Sequence, residues 1–243
     1  LDQLQFKGIL SDCKFSEEEI QLAYTHIISR AVHPASELAT NRWIKQNSGV
    51  CEITNYPIDK MTKDKLYGMS HKLFENKEII ERRLSTKTNE LFDIEDKIII
   101  YDLTNTYFEG RMVDSEIAKF GRSKEKRNDA KLIVLAMVVN EQGFIKYSGI
   151  FEGNTADSKT IEKIIDDLSK STSSLDRKPI IVMDAGISSK ANLALIKNKG
   201  YDYICVSRSG MSKYTIDPST VAVSIKDKKD QEIELLKIKE QQQ

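Results

Sequence analysis

Cysteine and histidine are both scarce: three of each in 243 residues. Cys13, Cys51 and Cys205 are isolated and odd in number, with no Cys-x-x-Cys pair, so neither a disulfide framework nor a zinc site is expected. His26, His33 and His71 are spaced unlike a metal motif and are read as structural residues. Long apolar runs are missing as well. Nothing approaches the roughly 20 uninterrupted apolar residues of a membrane span, and the first residues lack the basic, apolar, small-residue order of a signal peptide. A cytoplasmic location is therefore expected, with no membrane partner. An excess of one charge is also absent, because 37 basic residues balance 37 acidic ones, so the whole-chain field points to no nucleic-acid partner.

What is present is enough apolar residue, 40% of the chain, for one large core or two smaller ones. Residues 1–94 read as a helical subdomain. Ser16 and Glu19 form a capping-box pattern. Ile20, Tyr24, Ile27 and Ala31 then share one face of a helix that should stop before Pro34. Leu66, Met69 and Leu73, then Ile80, Leu84 and Leu91, continue at helical spacing.

From residue 97 the pattern changes to short apolar runs separated by turns. "KLIVLAMVV" and "FIKYSGIF" are joined by Asn140, Glu141, Gln142 and Gly143, a length and composition suited to an antiparallel hairpin. A helix follows, capped by Asp157 or Ser158, with Ile161, Ile164, Ile165 and Leu168 on its buried face. "KPIIVMDAG" is a strand, Ser188 or Ser189 caps the next helix, Gly200 stops it, and "YDYICVS" is a last strand. The order β-β-β-α-β-α-β, with a hairpin where a doubly wound domain needs a helical crossover, predicts an α/β fold. Specifically, it predicts a ribonuclease-H-like mixed five-stranded sheet with flanking helices over residues 95–210. Residues 211–243 alternate at Val221, Val223 and Ile225 and read as the start of a β hairpin.

Two acids interrupt the apolar strands. In "KIIIYDLTNTYF" Asp102 follows residues that favour burial, and in "IIVMDAG" Asp184 ends a second strand. A buried carboxylate without partners costs several kcal/mol or loses its charge, so a cation, a donor set or a metal is expected beside each. One alternative is a strand-end aspartate bonded to backbone amides. Another is a phosphatase nucleophile, which would require a second acid where Thr104 stands. Paired carboxylates at adjacent strand ends suit Mg²⁺ or Mn²⁺ and phosphoryl transfer. The segment "KFGRSKEKRNDAK" sets Lys119, Arg122, Lys124, Lys126, Arg127 and Lys131 against Glu125 and Asp129. Such a run is either a solvated loop or a phosphate-binding one.

These pieces, with "RAVHPASELATNRWI", "YDLTNTYFEG", "GRSKEKRND", "FEGNTADSKT" and "VMDAGISSKANLALIKNKGYDYICVSR", resemble in order and spacing an insertion-sequence DDE transposase. The bacterial group concerned carries its third acid in a Tyr-Arg-Glu-Lys signature. The resemblance implies that Asp102 and Asp184 are the first two catalytic acids and metal ligands, holding Mg²⁺ or Mn²⁺ as two ions in the complete enzyme. It implies double-stranded DNA, both terminal repeats and target, as substrate, and a homodimer at full length. Arg122, Lys124, Lys126 and Arg127 are the DNA-binding candidates, and Thr104 and Asn154 are candidates to support the ligands. No Tyr-Arg signature follows Asp184, and Glu232, Glu234 and Glu240 sit in a polar segment of different character. In this group a β-rich insertion often precedes the third acid, so the resemblance implies that residues 211–243 begin that insertion, that the third acid lies beyond residue 243, with this chain a fragment, and that residues 1–94 have a DNA-binding or oligomerisation role. A non-catalytic DNA-binding remnant or regulatory fragment, and a repurposed structural protein, are the alternatives.

Overall fold

The computed structural model describes residues 1–121, 129–171, 178–206, 222–226 and 230–235. The chain divides into two compact units, Leu1–Val206 and Ser207–Gln243. The first unit begins with six helices: α1 Phe6–Asp12, α2 Glu17–Val32, α3 Glu37–Asn47, α4 Val50–Thr54, α5 Lys63–Glu75 and α6 Lys77–Phe92. The α2 capping box forms as its spacing predicts. The Glu19 N–H donates to Ser16 Oγ at 3.3 Å, and the Ser16 N–H donates to Glu19 Oε2 at 2.8 Å. Three acids in the first turn complement the helix dipole, and Pro34 forces the chain out of the helix after Val32. Ile20, Leu22 and Ala23 of α2 join Ile44, Met61, Leu66 and Met69 in a helical core. Thr25 and Thr54 satisfy each other's buried hydroxyls at 2.6 Å. Among the described residues no helix is long and apolar enough to cross a membrane.

His26 is buried in this core, with Nε2 2.9 Å from Ser70 Oγ on α5. Burial pushes its pKa below the usual 6.5, the Arg30 charge pushes the same way, and Glu37 opposes both. The unfolded chain therefore takes up a proton at His26 at a pH where the folded chain does not. Its contribution to stability is fully present above pH 6.5 and is lost as the pH falls towards the folded value. Urea-unfolding free energy should drop between neutral pH and about pH 5, by at most about 1.4 kcal/mol per pH unit for one proton. His26→Gln should flatten that dependence.

The second half of the unit is the sheet: β1 Ile98–Tyr107, β2 Leu132–Asn140, β3 Ile145–Glu152, α7 Asp157–Ser171, β4 Ile180–Met183, α8 Lys190–Asn198 and β5 Tyr203–Cys205. The strands lie in the order β3-β2-β1-β4-β5. β1–β2 and β2–β3 are antiparallel, whereas β1–β4 and β4–β5 are parallel. This is the expected ribonuclease-H-like plan. Its hairpin turns at Gly143, whose φ of +88° suits glycine, and Asn140 closes the turn by accepting the Phe144 N–H at 2.8 Å. Ile99, Tyr101 and Leu103 of β1 share one core with Val134, Ala136 and Val138 of β2, Ile161, Ile164, Ile165 and Leu168 of α7, and Ile196 of α8.

The helical part meets the sheet at its β3 edge, where unpaired backbone groups need cover. Glu81 of α6 accepts both the N–H and the hydroxyl of Ser148, and Lys77 donates to the Ser148 carbonyl. Nearby, Lys146 is 6% exposed and pairs with Asp96 at 2.9 Å. Asn89 and Asn140 fill the remaining bonds of this pair, as a buried charge requires. In the second unit β6 Val223–Lys226 and β7 Glu232–Leu235 form an antiparallel hairpin, pairing Val223 with Leu235 and Ile225 with Ile233.

Candidate metal centre

The β1–β4 ladder positions the two aspartates. Ile98, Ile99, Ile100 and Tyr101 pair in parallel with Ile180, Ile181, Val182 and Met183. One step further along both strands stand Asp102 and Asp184. The last pair of this ladder is Tyr101 with Met183, so each aspartate follows directly on a paired residue, Asp102 within β1 on the face of Ile100 and Asp184 just past the end of β4. Both residues are exposed. Neither aspartate makes a side-chain hydrogen bond among the described residues.

Two expectations need correction. Asp102 is not buried: the apolar Ile98 and Ile100 before it belong to the open face, and Ile100 itself is 41% exposed. The core face of β1 is the alternate one, Ile99, Tyr101 and Leu103. Nor does Asp102 end its strand. The β-branched and aromatic residues after it keep pairing with β2 as far as Tyr107 opposite Leu132, so Asp102 is mid-strand, at the level where β4 stops.

Asp184 leaves β4 into a turn that is well anchored. The Ile187 N–H donates to the Asp184 carbonyl at 3.1 Å, and the Ile187 side chain is buried. Ser189 caps α8 by accepting the Asn192 N–H at 3.2 Å, while Asn192 Nδ2 returns to the Ile187 carbonyl at 2.7 Å. The turn is thus tied to the start of α8, and Asp184 is held beside β1.

Thr104 is exposed two residues beyond Asp102 on the same face. Asn154 is placed elsewhere. β3 ends with Glu152 opposite Ile133, which faces Thr106, so Asn154 lies two strands from β1 and past the level of Thr106. Arg122, Lys124, Lys126 and Arg127 lie outside the described residues. Among the described residues no group of three His, Cys, Asp or Glu side chains is arranged to hold a metal ion. Asp102 and Asp184, both exposed and each one residue past a paired position of neighbouring strands, are hard oxygen donors of the kind that fits a divalent cation retaining water.

Sequence motifs did not reveal the row that runs from this pair. Asp102 lies opposite Met137, and Met137 opposite Ser148, the residue gripped by Lys77 and Glu81. One line across the sheet thus joins the aspartates to the edge covered by α6.

A search of curated proteins finds no match. Among solved structures, the Mos1 transposase paired-end complex with left transposon end shares 10% identity at a TM-score of 0.32, covering 78% of this chain and 58% of that one. A piggyBac transposase synaptic complex with hairpin DNA shares 16% identity at a TM-score of 0.41, covering 91% and 52%. The chain thus spans between half and three-fifths of the length of these proteins. The model of one family, described as the transposase DDE domain, matches residues 95–243, which include all five sheet strands and both aspartates. By that match, over more than half of its length, the chain belongs to the transposase DDE domain family.

Proposed function

We propose that this protein takes part in metal-dependent cleavage and joining of DNA strands at the ends of an insertion element, with Asp102 and Asp184 as metal-binding acids. One observation supports the reading: the parallel β1–β4 register ends at Tyr101 and Met183, and the next residue on each strand is an exposed aspartate. Like charges close together at neighbouring strand ends repel, and Asp102 and Asp184 together would hold a divalent cation that removes this cost. Bound Mg²⁺ or Mn²⁺ supplies Lewis acidity at phosphorus and an activated attacking oxygen. The protein's own part is to present both carboxylates, at the end of the paired β1–β4 segment, to a phosphodiester approaching from solvent. Arg122, Lys124, Lys126 and Arg127 supply sequence-independent phosphate attraction, and Thr104 lies close enough along β1 to orient water or phosphate beside Asp102. Terminal-repeat and target DNA are the proposed partners, with a homodimer as the working assembly.

A second reading, a non-catalytic DNA-binding or regulatory form, is favoured by the lack of a third carboxylate beside the pair among the described residues. Mn²⁺ titration followed by electron paramagnetic resonance separates metal binding from DNA binding. Wild type should bind Mn²⁺ at least about tenfold more tightly than the Asp102→Asn/Asp184→Asn double variant, a loss of about 1.4 kcal/mol or more. Equal binding by the two proteins would falsify the site assignment.

A further inference from the structure

The β1–β2 connection presents an aromatic ring that the core does not use. Phe120 is 60% exposed, the most exposed aromatic ring among the described residues, and it makes no ring contact there. The backbone carrying it is firmly held. Lys119 and Leu132 exchange both backbone hydrogen bonds, at 3.1 and 2.9 Å, and the Gly153 N–H donates to the Ile117 carbonyl at 3.1 Å. Ala118, two residues before the ring, is fully buried. Directly after it, Gly121 packs so closely on the Gly153 carbonyl that a Cβ there would lie 2.0 Å from the oxygen. A large apolar side chain is thus held out into water on an immobilised support.

Building on the proposed DNA reading, we infer that Phe120 is a stacking platform for an unpaired DNA base. Its ring has no polar atom, so its gain from DNA must come from contact with a base face, and such faces are free in single strands and at opened ends. Charge favours DNA over a protein partner. In sequence, the run from Lys119 to Lys131 sets six cations against two acids, and Phe120 is its one aromatic residue. Aromatics among cations characterise grooves that follow a single strand, whereas lysine is depleted from protein–protein interfaces. Lys119 is level with Tyr107, five residues along β1 from Asp102. Phe120 therefore stands about 20 Å from the aspartates, a span of roughly six nucleotides.

The test is fluorescence anisotropy on the whole chain, using a fluorescein-labelled oligothymidylate of about 15 nucleotides and a blunt duplex of equal length. Phe120→Ala should weaken binding to the single strand about tenfold or more, and Phe120→Trp should restore it. Both variants should bind the duplex within about twofold of wild type and keep the same salt slope, because no phosphate contact is removed. The ring is exposed, so thermal melting should be unchanged. Single-strand binding by Phe120→Ala equal to wild type overturns the inference. So does a drop in sedimenting mass for that variant, which would make the ring a contact between two copies of the chain. Failure of the wild type to bind either DNA overturns the functional reading as well, whereas duplex binding without single-strand binding overturns this inference alone.

Discussion

On the proposed reading, Asp102→Asn is expected to lower Mn²⁺-dependent DNA strand cleavage about a thousandfold, while the metal-free fold becomes slightly more stable. Loss of charge at one of two metal-binding carboxylates removes several kcal/mol of transition-state stabilisation. Stability moves the other way because Asp102 and Asp184 each stand one residue past the last pair of the β1–β4 ladder, Tyr101 and Met183, and neither carboxylate makes a hydrogen bond among the described residues. Removing one of the two charges relieves a repulsion of about 0.2–1 kcal/mol. Thermal melts in EDTA should rise for Asp102→Asn and for Asp184→Asn, and the rise should vanish when Mn²⁺ is added to all samples, since only wild type gains from binding. The opposite result, a variant that melts several degrees lower in EDTA, would mean that Asp102 is held by backbone amides and serves the fold. Opposite signs in activity and stability are the mark of a residue retained for chemistry.

Local chemistry made much of this architecture readable before any coordinates. Ser16 and Glu19 specify a helix start through two reciprocal bonds that need no distant partner, and Pro34 specifies its end by sterics alone. The four residues from Asn140 to Gly143 imply a hairpin because Gly143 supplies the positive φ. Once two strands are joined by a hairpin, a parallel doubly wound sheet is excluded, and the alternation of β4, α8 and β5 leaves a mixed sheet.

What stayed hidden depends on partners far away in sequence. Period two divides β1 into two faces but does not say which one meets α7. Ile98, Ile99 and Ile100 are all apolar, so the exposure of Asp102 became visible only when Ile99, Tyr101 and Leu103 proved to be the core set. The reach of β1 beyond Asp102 was likewise masked by the polar look of Thr104, Asn105 and Thr106, which pair with Leu135, Val134 and Ile133. The clamp of Lys77 and Glu81 on Ser148 joins residues 71 and 67 apart and carries no motif. A polar turn after β3 does not by itself say how far along the sheet it falls, and the register carries Asn154 past the level of Thr106, two strands from β1, to the far end of the sheet.

That far end yields the largest expected effect on folding, from Gly153→Ala. A Cβ on Gly153 would stand 2.0 Å from the Leu132 carbonyl oxygen and 2.6 Å from that of Lys119. Both oxygens accept in the paired hydrogen bonds that join Lys119 to Leu132, so neither can turn away without breaking its bond. Relief requires the 117–121 segment to lift from β2, losing that pair of bonds and the bond from the Gly153 N–H to Ile117. At about 1 kcal/mol for each, plus the lost packing of Ala118, the substitution should cost roughly 3–4 kcal/mol. That is a large share of the roughly 5–15 kcal/mol that holds a domain together. Gly110→Ala is the matched control, since a Cβ there meets nothing within 4 Å, and it should be close to neutral. Urea unfolding measures the difference, and hydrogen exchange at the Lys119 and Leu132 amides locates it. A Gly153→Ala protein within about 1 kcal/mol of wild type, with both amides still protected, would mean that the segment is not seated on β2. Phe120 would then lack the rigid support on which its proposed stacking depends.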